Sequence, residues 1–337
     1  MPANTASPRD LTAPDAPPID QSVPIAEATI CVSVSLPDPV DVPASVEFLR
    51  RNGDDLLDRW DGTRLVRVLA LPGKRVPVAM RPTGGHTAPS LAVTLPAAVA
   101  AELGQDTLRT AVTSQFAVPP ASWADLLGAD PALAALAAQS PAIRPLSLTD
   151  PFYALVRAIT AQQVHLKFAT AIRARLAQRF GRQYRIDGQP VFALEPEALA
   201  GAAVSTLHNL QLSERKASYL IATAEAILDG RLDIPMLAAL TNNEYLQAMT
   251  RLRGVGRWTA EWFAARVLGR AVVVAGDIGV RKAVGRLYGV AMPTELQVRQ
   301  LTAHWGPAAH IAQQLVLETY PRPTTAGPTG SPPQQTR

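Results

Sequence analysis

Near residue 120 the spacing of hydrophobic residues along the chain changes from that of short strands to that of helices. No other pattern in the sequence restricts the possible folds as strongly. Before that point, short β-branched runs such as ATICVSVSL, RLVRVLAL and SLAVTL alternate with proline and glycine breakers, with one helical stretch at SVEFLRRNGDDLLDRW. After it, apolar residues recur at helical spacing. We therefore predict a small α+β domain over residues 28–119 and a mainly α-helical bundle over residues 120–320.

The helical part carries a series of amphipathic segments. Capping residues and glycine stops predict helices at residues 130–139, 150–181, 197–204, 213–228, 243–252, 257–268, 278–287 and 294–317. The lack of a repeat at solenoid period favours a compact bundle over an open solenoid. Residues 1–27 and 321–337 are rich in proline, serine and glycine with few large apolar side chains, so both tails are predicted to be disordered.

Composition excludes several classes of protein. Of the 337 residues, 47% are hydrophobic, yet no window approaches the run of about 18 apolar residues that a membrane span needs. The N-terminus is acidic and proline-rich, unlike a secretory leader, so we expect a cytoplasmic protein. The single cysteine, Cys31, excludes an internal disulfide and a four-thiolate iron–sulfur cluster, and the five histidines show no metal-ligand spacing, so no cofactor is expected.

Two features suit a polyanionic partner. The net charge is +4, and because acidic residues are concentrated in the N-terminal tail, the folded body is more basic than the average. In RLRGVGRWTAEW, Gly254 and Gly256 form a tight connection before a helix that starts at Arg257, and amides at this helix N-terminus would point toward one phosphate. The backbone carbonyls of Thr250, Leu252 and Gly254 could hold a monovalent cation that bridges to the same phosphate. An ordinary glycine-containing turn between helices is the alternative.

Asp277 follows the apolar run AVVVAG and precedes the helix IGVRKAVGRLYG. A plain helix N-cap is one explanation, since aspartate is common in that role. The same position keeps the carboxylate ionised, because the helix amides and the helix dipole favour the negative form. A reaction with a developing cation needs such a fixed negative charge, so Asp277 is also a candidate catalytic group.

Together these segments resemble the helix-hairpin-helix, Gly/Pro, Asp (HhH-GPD) superfamily of DNA glycosylases. The resemblance rests on LRGVGRWTAEWFA followed by GD, with Trp258 placed 19 positions before Asp277, and on the segments ITAQQVHLKFATAI and LQLSERKASYLIATAEAI. Within the superfamily the chain is most similar to 3-methyladenine DNA glycosylase II (AlkA-like), whose small N-terminal α+β domain would correspond to residues 28–119.

The resemblance implies a monomeric, monofunctional DNA glycosylase that excises alkylated purines from damaged double-stranded DNA by hydrolysing the N-glycosidic bond. It implies that Asp277 is the catalytic carboxylate and that Gln163 is the wedge inserted into the DNA stack. The implied DNA-binding residues are Gln162, Gln163, Gly254, Gly256 and Arg257, and the implied substrate-pocket residues are Phe48, Trp258, Trp262 and Ile278. Trp258 and Trp262 share a helix face and would stack on a cationic alkylated base, although core packing explains each ring equally well.

Three positions depart from the family pattern. His165 stands where a serine is usual, Ala309 breaks a Trp-x-Pro-x-Arg pattern, and Leu317 stands where a pocket-closing tryptophan is expected. These departures predict a more open pocket with broader or altered selectivity, while the fold and the reaction are retained. Trp258 occupies the place of the Schiff-base lysine of bifunctional members, so lyase chemistry is not expected.

Two alternative functions stay open. A non-catalytic helix-hairpin-helix module would bind DNA without needing Asp277, and its function would be unchanged by Asp277→Asn. A mismatch glycosylase of the same superfamily is the nearest enzymatic competitor, and both Trp258 and the lack of a cysteine cluster weigh against it. A DNA substrate would place the protein at the nucleoid.

Overall fold

The computed structural model of the chain describes residues 28–37, 39–71 and 73–319. The two tails predicted to be disordered, residues 1–27 and 321–337, lie outside the described residues. Within the described ranges, no helix is both long enough and apolar enough to cross a membrane.

The N-terminal part is built on a five-stranded antiparallel sheet of order β1-β5-β4-β3-β2. Its strands are β1 (Thr29–Ser35), β2 (Asp58–Trp60), β3 (Leu65–Leu71), β4 (Lys74–Pro82) and β5 (Ser90–Pro96), and its helices are α1 (Val42–Val46), α2 (Phe48–Arg51), α3 (Ala97–Leu103) and α4 (Gln105–Thr113). Side chains alternate between the two faces of a strand, so Val76 and Val78 of β4 and Val93 of β5 share one face. On that face they pack in one core with Leu108 and Val112 of α4.

The three β-rich runs noted in the sequence form β1, β3 and β5, whereas the helix predicted at residues 45–60 was wrong beyond Arg51. The chain leaves the helical conformation at Gly53, whose φ is +104°. Just after it, Asp55 accepts hydrogen bonds from the backbone N–H groups of Leu57 and Asp58, which forms a turn, and β2 then pairs with β3. The turn formed by Asp55 therefore ends the helix, even though the helical spacing of apolar residues continues beyond it.

The remainder of the chain is mainly helical. Its elements are α5 (Trp123–Ala129), α6 (Pro131–Gln139), α7 (Pro151–Ala161), α8 (Leu166–Phe180), β6 (Arg182–Ile186), β7 (Gln189–Ala193), α9 (Pro196–Ala200), α10 (Val204–Asn209), α11 (Glu214–Leu228), α12 (Ile234–Ala239), α13 (Asn242–Thr250), α14 (Arg257–Arg266), α15 (Ile278–Leu287), α16 (Glu295–Leu301), a 3₁₀ helix (Ala303–Ala308) and α17 (Ala309–Thr319). The β6–β7 hairpin was not predicted. Its Ile186 and Val191 pack against Val66 and Ala79 of the N-terminal sheet, so it covers apolar surface that the helices leave exposed.

The predicted helices 150–181 and 294–317 are each divided. The first is interrupted between Ala161 and Leu166, where Gln163 adopts a left-handed φ of 54°. The second is interrupted at Gly306, with φ 47° and ψ −129°, followed by Pro307, which cannot donate a helical hydrogen bond. The first interruption contains Gln163, which the resemblance assigns to the DNA wedge.

The helices form two hydrophobic cores. One core joins α7, α8, α11, α13 and α14, and the other joins α5 and α6 to α15, α16 and α17. Because α5 and α6 pack on the last helices of the chain, the second core combines helices from the beginning and the end of the helical region. The segment that connects α14 to α15 passes from the first core to the second and contains Asp277.

Candidate active site and DNA interface

The turn between α13 and α14 contains two glycines in different environments. Gly254 has a φ of +86°, and a Cβ placed there would lie 2.3 Å from Cγ of Tyr219 on α11. Gly256 has an ordinary φ of −89°, and a Cβ placed on it would meet open space. Gly254 is thus required by the fold, whereas Gly256 leaves the backbone open to a partner.

Gly256 is the N-cap of α14 and has no side chain with which to cap the first N–H groups of the helix. Uncapped N–H groups and the helix dipole make such a terminus an anion site. Arg251, Arg253 and Arg257 are exposed around it. The Arg257 guanidinium is engaged elsewhere: its Nε donates to Oε1 of Glu261 on the same helix at 2.9 Å and lies 3.6 Å from Oε1 of Glu295 on α16. The backbone of Arg257, more than its side chain, is therefore available to a phosphate.

The carbonyls predicted to hold a cation take part in local hydrogen bonds. The Leu252 carbonyl accepts from the Val255 N–H at 3.1 Å, and the Gly254 carbonyl accepts from Nε2 of Gln162 at 3.0 Å. Each carbonyl oxygen has a second lone pair, so these bonds leave Leu252 and Gly254 able to accept again, and the cation site stays a prediction. In the part of the chain that the structure describes, no cluster of three or more His, Cys, Asp or Glu side chains suits a metal ion.

The neighbouring glutamines Gln162 and Gln163 face in different directions. Gln162 is half-buried, and its amide also donates to Oγ1 of Thr259 at 3.1 Å, so it links the end of α7 to the hairpin. Gln163 is exposed in its left-handed conformation, which costs about 1–3 kcal/mol and persists only where the surroundings impose it. Lys216 braces this turn by donating from Nζ to the Thr160 carbonyl at 3.0 Å. Gln163 is thus the one of the two glutamines presented to solvent.

Asp277 is held on both oxygens. Oδ1 accepts from the Val280 N–H at 3.0 Å as the N-cap of α15, and Oδ2 accepts from the indole Nε1 of Trp258 at 3.0 Å. Trp258 is the second residue of α14, so the hairpin helix itself orients the carboxylate. The side chain is half-buried, so part of it is accessible to solvent. Helix cap and active-site carboxylate are therefore compatible roles for one residue.

Trp258, Trp262 and Arg266 recur every four residues and so lie along one stripe of α14. Trp262 is half-buried against the first helical core. Nη2 of Arg266 donates to Oε1 of Gln314 at 2.6 Å, and its Cζ lies 5.9 Å from the ring centroid of Phe48. Burial lowers the pKa of Arg266 to about 10. The positive charge of Arg157 lowers this pKa further, and the negative charge of Asp277 raises it.

The first turn of α15 is exposed at Ile278, and α17 lies close to it at Gly279. Ile278 is 59% exposed, next to Asp277. A Cβ placed on Gly279 would lie 2.9 Å from Oδ1 of Asp277 and 3.5 Å from Cδ2 of Leu317. The side chain of Leu317 therefore lies near the carboxylate, at the position where the resemblance expects a larger ring.

The other two departures have local structural roles. His165 is the N-cap of α8, and its Nδ1 accepts from the Lys167 N–H at 3.2 Å, as a serine hydroxyl would do there. Ala309 is buried as the first residue of α17. Sequence reasoning missed Arg266, His310 and Gln314. The four-residue spacing from Trp262 was the signal that would have identified Arg266.

A known protein family matches most of the helical region. Residues 156–308 match the family model described as HhH-GPD superfamily base excision DNA repair protein. The match spans 153 of the 337 residues of the chain. The HhH-GPD segment includes the hairpin, Trp258 and Asp277, and the predicted fold class, a small α+β domain followed by a helical HhH-GPD region, is confirmed.

Two curated proteins are similar to the HhH-GPD region. The putative DNA-3-methyladenine glycosylase YfjP of Bacillus subtilis is 30% identical over 166 residues, 48% of this chain and 57% of the relative. DNA-3-methyladenine glycosylase 2 of Escherichia coli is 32% identical over 179 residues, 52% of this chain and 60% of the relative. The match thus spans about three fifths of the length of these relatives.

The 3-methyladenine DNA glycosylase from Archaeoglobus fulgidus has a similar solved structure. It superposes with a TM-score of 0.70, covering 85% of this chain and 97% of that one, at 24% sequence identity. The likeness extends over the N-terminal sheet as well as the HhH-GPD region, so the two chains share the arrangement of both parts.

Proposed function

We propose that this chain is a monofunctional DNA glycosylase that hydrolyses the N-glycosidic bond of alkylated purines in double-stranded DNA, as a step of base excision repair. The observation that carries the proposal is the setting of Asp277. One oxygen of its carboxylate accepts from the α15 N-terminus and the other from Trp258, on the helix that follows the hairpin. A DNA-binding module without catalysis has no use for a carboxylate fixed in this way.

The hairpin would hold one phosphate through the amides of Gly254, Gly256 and Arg257. A monovalent cation on the carbonyls of Thr250 and Leu252, together with that of Gly254, would add positive charge facing the same phosphate. Binding at one phosphate positions the enzyme on the duplex and does not specify a base. The enzyme would act as a monomer on DNA at the nucleoid.

Gln163 would enter the stack that the flipped nucleotide leaves. It is exposed at the turn between α7 and α8, and Gln162 and Lys216 anchor the turn on either side. A wedge must resist the pressure of the DNA stack, and an anchored turn provides that stiffness. The displaced base would then lie between Phe48 and the stripe of α14 that carries Trp258 and Trp262.

Alkylation at N3 or N7 makes the purine a good leaving group, so a strong general acid is unnecessary. As the C1′–N9 bond breaks, its electron pair passes to the base, and the sugar becomes a cation that Asp277 stabilises. The oxygen of a water molecule bonds to C1′ and its proton passes to Asp277, leaving free base and an abasic site. Trp258 in the place of a lysine is consistent with hydrolysis without a Schiff base.

The names of the relatives support the same substrate class. The Bacillus subtilis, Escherichia coli and Archaeoglobus fulgidus proteins are all called 3-methyladenine DNA glycosylases. The residues that would carry the reaction here, Trp258 and Asp277, lie inside the segment that matches the family model.

Release of free methylated bases from methylated duplex DNA tests the proposal, with the unmodified chain compared with Asp277→Asn. Asparagine also caps helices, so this variant keeps the start of α15. Asp233→Asn is the matched control, because Asp233 caps a different helix, α12, by accepting from the Met236 N–H at 2.8 Å.

We expect release to disappear in Asp277→Asn and to persist in Asp233→Asn, while both variants bind DNA as the unmodified chain does. No release by the unmodified chain, with DNA binding intact, would instead assign the protein to the non-catalytic binding modules.

A further inference from the structure

The hairpin helix α14 has a second polar face, separate from the stripe that carries the two tryptophans. Arg257, Glu261 and Ala264 follow one another along this face at helical spacing, and they line a cavity of about 360 Å³. Asn242 of α13 and Arg299 of α16 are among its other lining residues. The cavity therefore lies where helices of the first core meet helices of the second, and the residues assigned to the base do not border it.

Glu261 fixes two guanidinium groups beside this cavity. It is only 7% exposed, and its Oε1 accepts from Nε of Arg257 at 2.9 Å and from Nη2 of Arg299 at 2.7 Å. A buried charge is costly unless it is paired, so these bonds are maintained in the folded protein. Both arginines are thus held in place from their inner side, whatever lies on their outer side.

On the outer side the two arginines meet a second carboxylate, that of Glu295 at the start of α16. Its Oε1 accepts from Nη2 of Arg299 at 2.6 Å and lies 3.6 Å from Nε of Arg257. Hydrogen bonding from Arg299 lowers the pKa of the Glu295 carboxyl, and the positive charges of Arg257 and Arg281 lower it further. Unlike Glu261, this side chain is 46% exposed. One accessible carboxylate therefore lies among three cations.

Glu295 lies beside both places that a bound DNA strand must reach. Arg257 is the first residue of α14, at the helix terminus assigned to one phosphate. A Cβ placed on Gly276 would lie 3.5 Å from Oε2 of Glu295, and Gly276 directly precedes Asp277. A strand that contacts the hairpin amides and presents a sugar to Asp277 therefore passes Glu295, and a carboxylate that stayed there would repel its phosphates.

Both guanidinium groups keep donors for a further acceptor. A guanidinium has five N–H donors. Within the part of the chain that the structure describes, Arg257 donates hydrogen bonds only from Nε and Arg299 only from Nη2. Arg270, which has a structural role at the end of α14, instead donates from both Nη atoms to four acceptors. Arg257 and Arg299 can therefore bind a phosphate without leaving Glu261.

We infer that Arg257 and Arg299 form a second phosphate site beside the hairpin, and that Glu295 occupies this site until a DNA strand displaces it. The ligand is a phosphodiester of the strand that carries the flipped nucleotide. The inference thus rests on the DNA binding of the proposed function and adds a contact to it. Guanidinium groups bind phosphate oxygens through paired hydrogen bonds, whereas an exposed ion pair such as that of Glu295 is weak. A phosphate can therefore replace Glu295 while Glu261 keeps the two arginines aligned.

The first experiment titrates a labelled duplex containing an abasic-site analogue, at several salt concentrations, with the unmodified chain, Glu295→Gln and Arg299→Gln. Glu295→Gln should lower the Kd by about threefold or more, because the competing carboxylate and its repulsion are both removed. Arg299→Gln should raise the Kd and reduce the slope of log Kd against log salt by about 0.9, the value for one phosphate contact.

Asp106→Asn and Arg109→Gln are the matched controls. These two residues form another exposed ion pair within one helix, at 2.9 Å on α4 of the N-terminal domain. The control variants change the net charge of the protein by the same amounts, and we expect their Kd values and salt slopes to stay near those of the unmodified chain. Thermal unfolding checks that each variant is folded, and the exposed position of Glu295 makes Glu295→Gln the safer test if Arg299→Gln folds poorly.

The second experiment locates the contact by placing one neutral methylphosphonate at a time along the damaged strand. At one position next to the hairpin phosphate, the substitution should weaken binding by the unmodified chain and have no further effect on Arg299→Gln. Such non-additivity is expected only where the arginine and the phosphate interact directly. A long-range effect of charge would instead add to the methylphosphonate effect at every position.

An unchanged or higher Kd for Glu295→Gln would overturn the inference, and so would additive losses at every methylphosphonate position. Either result, together with base release by the unmodified chain, would leave the proposed function intact. Failure of the unmodified chain to bind the duplex would overturn the proposed function, and the inference with it.

Discussion

At the scale of single residues, Trp258 is assigned two roles, one for its ring and one for its indole N–H. In the proposed function its ring would stack on a base, while its indole N–H donates to Oδ2 of Asp277 at 3.0 Å. The position of the carboxylate therefore depends on the same side chain that borders the base. A substitution that preserves the ring but removes the N–H separates the two tasks.

Trp258→Phe should slow base release by about tenfold, because one hydrogen bond to a charged group is lost while the aromatic face remains. Single-turnover release from methylated duplex measures this rate. Trp60→Phe is the matched control, since the Trp60 indole also donates at 3.0 Å to a carboxylate, that of Glu47. We expect the control to lower stability without slowing release. Equal rates for Trp258→Phe and the unmodified chain would show that the indole bond does not matter for catalysis.

His310 makes the stability of the protein depend on pH. Burial lowers its pKa below the ordinary 6.5, and the charge of Arg266 adds to the effect, so the folded state favours the neutral ring. As the pH falls through 6.5, the unfolded chain takes up the proton first, and stability is lost until the pH reaches the lower pKa of the folded state. His310→Gln should flatten this part of the profile, measured by urea unfolding between pH 7 and pH 5.

His86→Gln, the same substitution at an exposed histidine, controls for the loss of a histidine as such. A profile that stays as steep in His310→Gln as in the unmodified chain would assign the slope to other groups.

At the scale of elements, the two glycines of the hairpin have different backbone conformations and different surroundings. Gly254 needs a positive φ and has the Tyr219 ring against it, whereas Gly256 has ordinary dihedral angles and open space. The glycine at 254 serves folding, and the glycine at 256 serves access to the backbone.

Gly254→Ala should lower the free energy of unfolding by about 3 kcal/mol, from backbone strain and overpacking together. Gly256→Ala should change it by less than about 0.5 kcal/mol, because nothing lies against the new methyl group. That methyl group would keep a phosphate from the amides, so the Kd for duplex DNA should rise about tenfold. Urea unfolding and titration of a labelled duplex measure the two quantities. A destabilised Gly256→Ala with normal DNA affinity would contradict this division.

Helix boundaries in the sequence were predictable where a cap and a strong apolar stripe coincide. Ser213 caps α11 and Asp277 caps α15, and both helices run as predicted to Leu228 and Leu287. Two missed boundaries, at Gly53 and at Gly306–Pro307, carry local signals, whereas the one at Gln163 depends on contacts between distant segments. The turn at Gln163 is held by side chains from α11 and by the hairpin backbone, and no local pattern records those contacts.

The same reasoning explains which site residues were predictable. Asp277 and the hairpin glycines lie in one short stretch with recognisable spacing. Arg266, His310 and Gln314 come together only because α17 packs beside the end of α14, which the sequence pattern of neither helix specifies.

At the scale of the whole molecule, a buried charge network joins the N-terminal domain to the helical region. Asp55 lies after α2 and pairs with Arg157 of α7 at 3.1 Å and with Arg173 of α8 at 2.8 Å. Burial alone would raise the pKa of Asp55, but the two arginines outweigh it and hold the pKa below its usual value. The interface between the two parts is thus fixed by a carboxylate that stays charged at neutral pH.

Asp55→Asn should lower the free energy of unfolding at pH 7 by about 3–5 kcal/mol, because two buried guanidinium groups lose their counter-ion. The neighbouring Asp54→Asn is the control. Asp54 is 44% exposed and pairs with Arg59, so its loss should cost at most about 1 kcal/mol. Urea unfolding measures both, and similar losses in the two variants would show that the network is no stronger than a surface ion pair.

The segment that defines the superfamily ends at residue 308, one residue before α17 begins. The face of α17 that borders Asp277 and Arg266 therefore lies outside it, as does Phe48 of α2. In the proposed function, Phe48 and Leu317 would therefore contribute to the base site from outside the matched segment, while Trp258, Trp262 and Asp277 would contribute from within it. Proteins grouped by the matched segment alone are compared without Phe48 and Leu317, two residues of the candidate site.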